Sequence, residues 1–169
     1  PTLLRALDEH DPEGIVTVDC GITAVEPVAE AVDRGVYVIV TDHHIPPAGL
    51  PQGAVLVDPK LAGCDYPYED LCGAGIAWKL AEALLINGGE RCGIGEKARR
   101  AWLLSLAKIA ALSTIADMVP LTGENRVITA LGLAGRADPR SPGLAALLSR
   151  SGVPAGRSPS TREVAFRIA

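Results

Sequence analysis

Three consecutive side chains that can hold a metal, Asp42, His43 and His44, follow directly on the apolar run Val36-Tyr-Val-Ile-Val-Thr41. Ile45-Pro-Pro comes next, and neither strand nor helix continues through it, because proline fixes φ and donates no hydrogen bond. A second apolar run, Gly14-Ile-Val-Thr-Val18, ends the same way in Asp19, ahead of Cys20-Gly21. Carboxylate oxygens and imidazole nitrogens suit Mn2+, Mg2+ or Zn2+, and one carboxylate can bridge two cations. A hydrogen-bonded structural cluster would use the same residues, and their types alone do not separate the two. Cys20 has no base partner beyond those histidines, so a nucleophilic role is not indicated. The four cysteines, Cys20, Cys64, Cys72 and Cys92, contain no CxxC pair; that argues against a zinc knuckle or a disulfide framework and fits a reducing cytosol.

The elements that must position these residues are legible around them. Thr23-Ala-Val-Glu26 has the form of a capping box, and Val25, Val28, Ala29 and Val32 follow at helical spacing. A helix is therefore expected to about Arg34, ended by Gly35. Strand, helix and strand with short joints predict a right-handed βαβ unit of parallel strands, with Val36 to Val40 covered on both faces. Ligands in such sheets sit outside the carboxyl ends of the strands, where Asp19 and Asp42 to His44 both fall. Ala54-Val-Leu-Val-Asp58 predicts a third short strand, ended by Pro59.

Thr2 to Asp8 reads as the end of a helix, and Leu61 to Glu69 as loop. Further helices are expected from Gly73 to about Ile86, from about Lys97 to Ala116, from Glu124 to Gly135 and from Pro142 to Ser151. The second is apolar nearly all round and should be central. A Gly/Ser/Pro-rich linker follows, and Ser160-Thr-Arg-Glu163 is another capping box, opening a final helix or apolar turn. The predicted class is α/β, a parallel sheet flanked by helices and followed by a helical segment. Aromatics make up only 4% of the 169 residues, which favours tight α/β layers over a β-sandwich. The longest apolar region, Ala101 to Val119, carries Lys108 and Asp117 and is a poor membrane span.

The net charge of -4 hides an asymmetry: residues 1–70 hold 3 Lys/Arg and 13 Asp/Glu, and residues 71–169 hold 13 and 7. An acidic half carrying the histidines suits cations, and a basic half could face a phosphate backbone, although ordinary surface charge accounts for either.

Several stretches, in order, carry a resemblance. They are Val16 to Ile22, Val40-Thr-Asp-His-His44, Leu50-Pro51 to Asp58-Pro59-Lys60, Tyr66-Pro-Tyr68, Leu71-Cys-Gly-Ala-Gly-Ile-Ala77 and Ser113-Thr-Ile-Ala-Asp-Met-Val-Pro-Leu121. Together they resemble the DHH phosphoesterase superfamily and, within it, the RecJ-type single-strand-specific exonucleases, over about residues 14 to 136. The resemblance implies that Asp19, His43 and Asp117 bind divalent metal, as two ions of Mn2+ or Mg2+, with Asp19 bridging them. It implies that Asp42 orients the histidines and His44 contacts the scissile phosphate. The implied chemistry is phosphodiester hydrolysis by metal-activated water, 5′ to 3′ on single-stranded DNA, in repair and recombination. Implied partners are single-stranded DNA and a helicase or single-strand-binding protein, with no membrane involved and a cytoplasmic location.

The family's first motif would lie before Pro1 and its C-terminal substrate-binding domain beyond Ala169. The expected division is therefore an incomplete DHH phosphoesterase domain at 1–121, a helical connector at 122–152, and a linker with the start of a truncated region at 153–169. The fragment alone is expected to hydrolyse little. Gly73 and Gly75 at a helix start could offer N–H groups to phosphate, although close packing explains them as well. Asn125 and Arg126, like Arg99 and Arg100, are candidates for touching DNA or for a solvated face. Two other functions fit the same site: a small-substrate phosphodiesterase for oligoribonucleotides, cyclic dinucleotides or pyrophosphate, and an inactive replication scaffold. Retention of Asp or His at every ligand position argues against the scaffold.

Overall fold

A computed structural model describes residues 2–134, 141–154 and 156–168. The chain divides into two compact units, 1–69 and 70–169. The division predicted at 121 and 152 follows motifs, whereas this one follows compactness.

The first unit runs α1 (Thr2–His10), β1 (Gly14–Val18), α2 (Val25–Asp33), β2 (Tyr37–Thr41) and β3 (Val55–Val57). The three strands form one parallel sheet in the order β1-β2-β3, as the βαβ pattern predicted. Val16 pairs with Ile39, and Ile39 with Val55, so all three strands present the same side of the pleat together. Leu7 of α1 and Val28 and Ala31 of α2 meet Val38 and Val40 in the core, with Ile15 and Leu56 packed against them. Both helices therefore cover one face. On the other, Val16, Val18, Tyr37 and Val55 are exposed, which corrects the expectation of a strand covered on both sides. The period-2 alternation of β1 records this: apolar residues stand at nearly every position, but only alternate ones meet the helices.

The capping box predicted at Thr23 does not form. Ala24, one residue past Thr23, is the N-cap, and its methyl can accept no hydrogen bond; the Ala24 N–H closes a turn onto the Gly21 carbonyl at 3.0 Å. Gly21 has φ +115°, and a Cβ there would lie 2.7 Å from Thr17 Oγ1 and 3.1 Å from Val40 Cγ1. Glycine is required by both the dihedral and the space.

The second unit is helical: α3 (Gly73–Gly88), α4 (Glu96–Ala116), α5 (Gly123–Ala134), α6 (Pro142–Arg150) and a single turn, α7 (Thr161–Glu163), that continues as a π-helical turn over Val164–Ile168. The predicted end of α5 at Gly135 lies outside the described residues. Helix α4 is central to this unit, packing against α3, α5 and the π-helical turn. Its buried face is made of small residues, Ala107, Ala110, Ala111 and Thr114, with Ile115. Trp102, Leu104, Leu106 and Ile109 are exposed, so the helix is not buried all round as its composition suggested. Small residues let α5 approach closely: a Cβ on Gly132 would sit 2.3 Å from the Ala107 carbonyl oxygen.

The capping box at Ser160 does form. Ser160 Oγ accepts the Glu163 N–H at 3.2 Å, and the Glu163 carboxylate accepts the Ser160 N–H at 2.9 Å. Arg157 grips the same carboxylate, and the guanidinium and the Ser160 donors together hold its pKa down to about 2.

Candidate metal centre

The sheet register brings the strand ends together. Asp19 N–H donates to the Thr41 carbonyl at 3.0 Å, and Asp42 N–H to the Val57 carbonyl at 3.0 Å. Each strand-end aspartate is thereby tied to the neighbouring strand, and Thr41 Oγ1 adds a bond to the Thr17 carbonyl at 2.8 Å. Asp19 has φ +63°, a left-handed conformation uncommon outside glycine. Aspartate tolerates it better than most residues, and such backbone concentrates at functional sites.

Asp42 is buried, and its carboxylate accepts four hydrogen bonds. Oδ2 takes the Ile22 N–H at 2.9 Å; Oδ1 takes the His43 N–H at 2.8 Å, the His44 N–H at 3.3 Å and His44 Nδ1 at 2.7 Å. Burial pushes this carboxyl up, but the Ile22 N–H, the His44 ring and the His43 and His44 amides together hold it below the ordinary aspartate range. It is therefore an anion that holds its neighbours in place. With Nδ1 serving as donor to Asp42, the favoured tautomer of neutral His44 carries its lone pair on Nε2.

His43 Nε2 stands 3.0 Å from Asp19 Oδ1, and one ligand atom each from Asp19, His43 and His44 lie within 4.8 Å of one another. His43 is nearly buried while Asp19 and His44 are open to solvent, so the cluster has a protein side and a solvent side. Two ligands at right angles in an octahedral shell with bonds of about 2.1 Å stand about 3.0 Å apart. The observed His43–Asp19 separation is compatible with that spacing, as it is with a direct hydrogen bond, and the donors are the hard oxygen and imidazole nitrogen that Mg2+ and Mn2+ take. The residues fit a divalent cation.

A model of the DHH family, N-terminal domain, matches residues 2–114. The chain belongs to the DHH family. The matched range contains the Asp42-His43-His44 run whose geometry has just been described. Among similar proteins, the single-stranded-DNA-specific exonuclease RecJ of Bacillus subtilis is 40% identical over 165 residues, covering 98% of this chain and 19% of that protein. RecJ of Thermus thermophilus is 42% identical over 169 residues, 99% of this chain and 23% of that protein. A crystal structure of the Thermus thermophilus RecJ in complex with Mn2+ matches with a TM-score of 0.74 and 38% identity, covering 98% of this DHH chain and 23% of its own. The Mg2+ complex matches with a TM-score of 0.59 at 35% identity, over 93% and 19%. The chain thus spans about a fifth of the length of these relatives.

The remaining predicted residues lie in the second unit. Asp117 is exposed and caps the C-terminus of α4, its N–H bonded to the Ser113 carbonyl at 2.8 Å. Gly73 and Gly75 are buried at the start of α3. There the Gly75 N–H donates to Cys72 Sγ at 3.4 Å, and a Cβ on Gly75 would meet the Leu71 side chain at 3.3 Å, which is close packing. Asn125 is fully buried, not solvated: its Nδ2 donates to the Asp70 carbonyl at 2.6 Å and to the Pro120 carbonyl at 3.0 Å, tying two loop segments to α5. Arg126 and Arg100 are exposed, and Arg99 lies 3.7 Å from Glu90.

Two residues at the strand-end edge, present in the sequence only as a strand end and part of a motif, had been given no role at the site. Asp58, directly after β3, is buried, and Lys60 reaches from the following turn to the His43 carbonyl. The rule that singled out Asp19 and Asp42, a carboxylate ending an apolar strand, applies equally to Asp58.

Proposed function

We propose that this chain is part of a divalent-metal-dependent 5′-to-3′ exonuclease acting on single-stranded DNA in repair and recombination. The observation that supports it most is the convergence of Asp19, His43 and His44 at the carboxyl ends of parallel strands, in a chain about 40% identical to RecJ nucleases. Mn2+ or Mg2+ is the proposed cofactor, as two ions, with Asp19 and His43 as ligands. When bound, the cations supply Lewis-acid polarisation of the phosphate and activation of water.

The residues of the chain do the rest. Asp42 fixes the backbone at Ile22, His43 and His44, so the two imidazoles keep one geometry. His44 is open to solvent and held by Asp42 through Nδ1, which leaves Nε2 to contact the substrate phosphate as a donor when the ring is protonated. Asp117 is proposed as a further ligand on the resemblance of its stretch Ser113-Thr-Ile-Ala-Asp-Met-Val-Pro-Leu121 alone. The DHH phosphoesterase domain at 1–121, the connector at 122–152 and the region from 153 carry over as the proposed division of the polypeptide. Single-stranded DNA is the proposed substrate, and a helicase or single-strand-binding protein the proposed partner. A cytoplasmic location agrees with four free cysteines.

The test uses the full-length protein. His43→Ala and Asp117→Asn should each lower single-strand exonuclease kcat by about 100-fold or more, since each removes a group proposed to hold the activating cations. Undiminished activity of His43→Ala would sink the proposed site.

A further inference from the structure

The turn after β3 is built to hold one carbonyl. Asp58 is only 3% exposed, and its Oδ1 accepts the Lys60 N–H at 2.8 Å, while its own carbonyl accepts the Leu61 N–H at 3.2 Å. Pro59 between them has its own φ fixed, and the bond from the Lys60 N–H to Asp58 closes the turn around it. From this turn Lys60 Nζ donates to the main-chain carbonyl of His43 at 2.5 Å, a charge-assisted bond across 17 residues of sequence. Asp58 Oδ2 is buried with no hydrogen-bond partner among the described residues. A buried carboxylate oxygen left unmatched is costly.

The charges of the first unit point the same way. Residues 1–70 contain three basic side chains, Arg5, Arg34 and Lys60. Arg5 pairs with Glu9, and Arg34 with Asp8 and Glu30, all on α1 and α2 or at their ends. Of these three, Lys60 alone stands at the strand-end edge.

We propose that Lys60 is a positioning residue: held by the Asp58 turn, it pins the His43 carbonyl and so fixes the direction in which the His43 imidazole meets Asp19 and a bound cation. Asp42 holds the same residue from its N–H side, at 2.8 Å. The peptide groups on both sides of His43 are thus clamped, one by an anion and one by a cation. This inference rests on the metal-centre reading above.

The test compares Lys60→Met, which keeps the apolar stem and removes the ammonium, with Lys60→Arg, in the full-length protein. In metal-free protein labelled with 15N-histidine, Lys60→Met should move the His43 ring resonances, and Lys60→Arg should return them toward the parent values. Mn2+ titration should show affinity weakened roughly 10-fold by Lys60→Met and largely recovered by Lys60→Arg. Unchanged His43 resonances and Mn2+ affinity in Lys60→Met would overturn the proposal. So would a raised KM for DNA with both unchanged, which would make the lysine a substrate contact. His43→Ala with normal Mn2+ affinity would instead sink the metal-centre reading, and the metal-free resonances would still report on Lys60.

Discussion

At the scale of single residues, the two buried aspartates of the strand-end edge behave oppositely. Asp42 is surrounded by donors, so Asp42→Ala leaves the Ile22 and His43 N–H groups without their acceptor. It should destabilise the protein by about 3 kcal/mol, read from urea unfolding. Asp58 is pushed up by burial, opposed by the Lys60 N–H and reinforced by the negative Asp42. Its folded-state value lies above its unfolded one, so its contribution to stability is complete below the ordinary aspartate range and is lost as pH rises through the raised value. Asp58→Asn keeps an oxygen for the Lys60 N–H and carries no charge. In metal-free protein it should melt higher than the parent at pH 7, and the difference should vanish below about pH 4.

At the scale of elements, the second unit depends on how closely α5 approaches α4. Gly132 is the contact point, and Gly132→Ala would drive a methyl into the Ala107 carbonyl oxygen and the Ala111 Cβ, which lie 2.3 Å and 2.4 Å from the ideal Cβ position. Neither obstacle can swing aside, since one is backbone and the other a Cβ. The expected cost is about 1–3 kcal/mol, seen as a lower thermal midpoint with the helical content of the native state retained.

At the scale of the whole molecule, the chain spans about a fifth of the RecJ proteins it resembles. The 169-residue chain by itself is expected to bind Mn2+ weakly and to hydrolyse single-stranded DNA little. Isothermal titration and a nuclease assay on the chain, beside the full-length protein, check this. Robust Mn2+-dependent hydrolysis by the chain alone would contradict it.

Much of the fold was legible because its signals are local. Apolar β-branched runs cut off by Gly and Pro predicted three strands within a residue or two of β1, β2 and β3, and helical periodicity predicted α2 to α6. Asp19, Asp42, His43 and His44 were legible because a parallel sheet collects its ligands at strand ends. What sequence could not decide depends on partners distant along the chain. Val16 and Val18 look like core residues, yet the helices pack on the other face; Asn125 looks like a surface amide, yet it is enclosed by the carbonyls of Asp70 and Pro120. The capping box at Thr23 does not form because the helix is capped one residue later, at Ala24, which has no side-chain acceptor. The sequence by itself determined that Asp19 and Asp42 to His44, side chains of metal-ligating type, stand at the ends of apolar strands. Only the tertiary structure decided that His43 meets Asp19 at 3.0 Å and that Lys60 holds the His43 carbonyl, because strand register and a side chain's reach are set by packing between segments that composition and spacing do not relate.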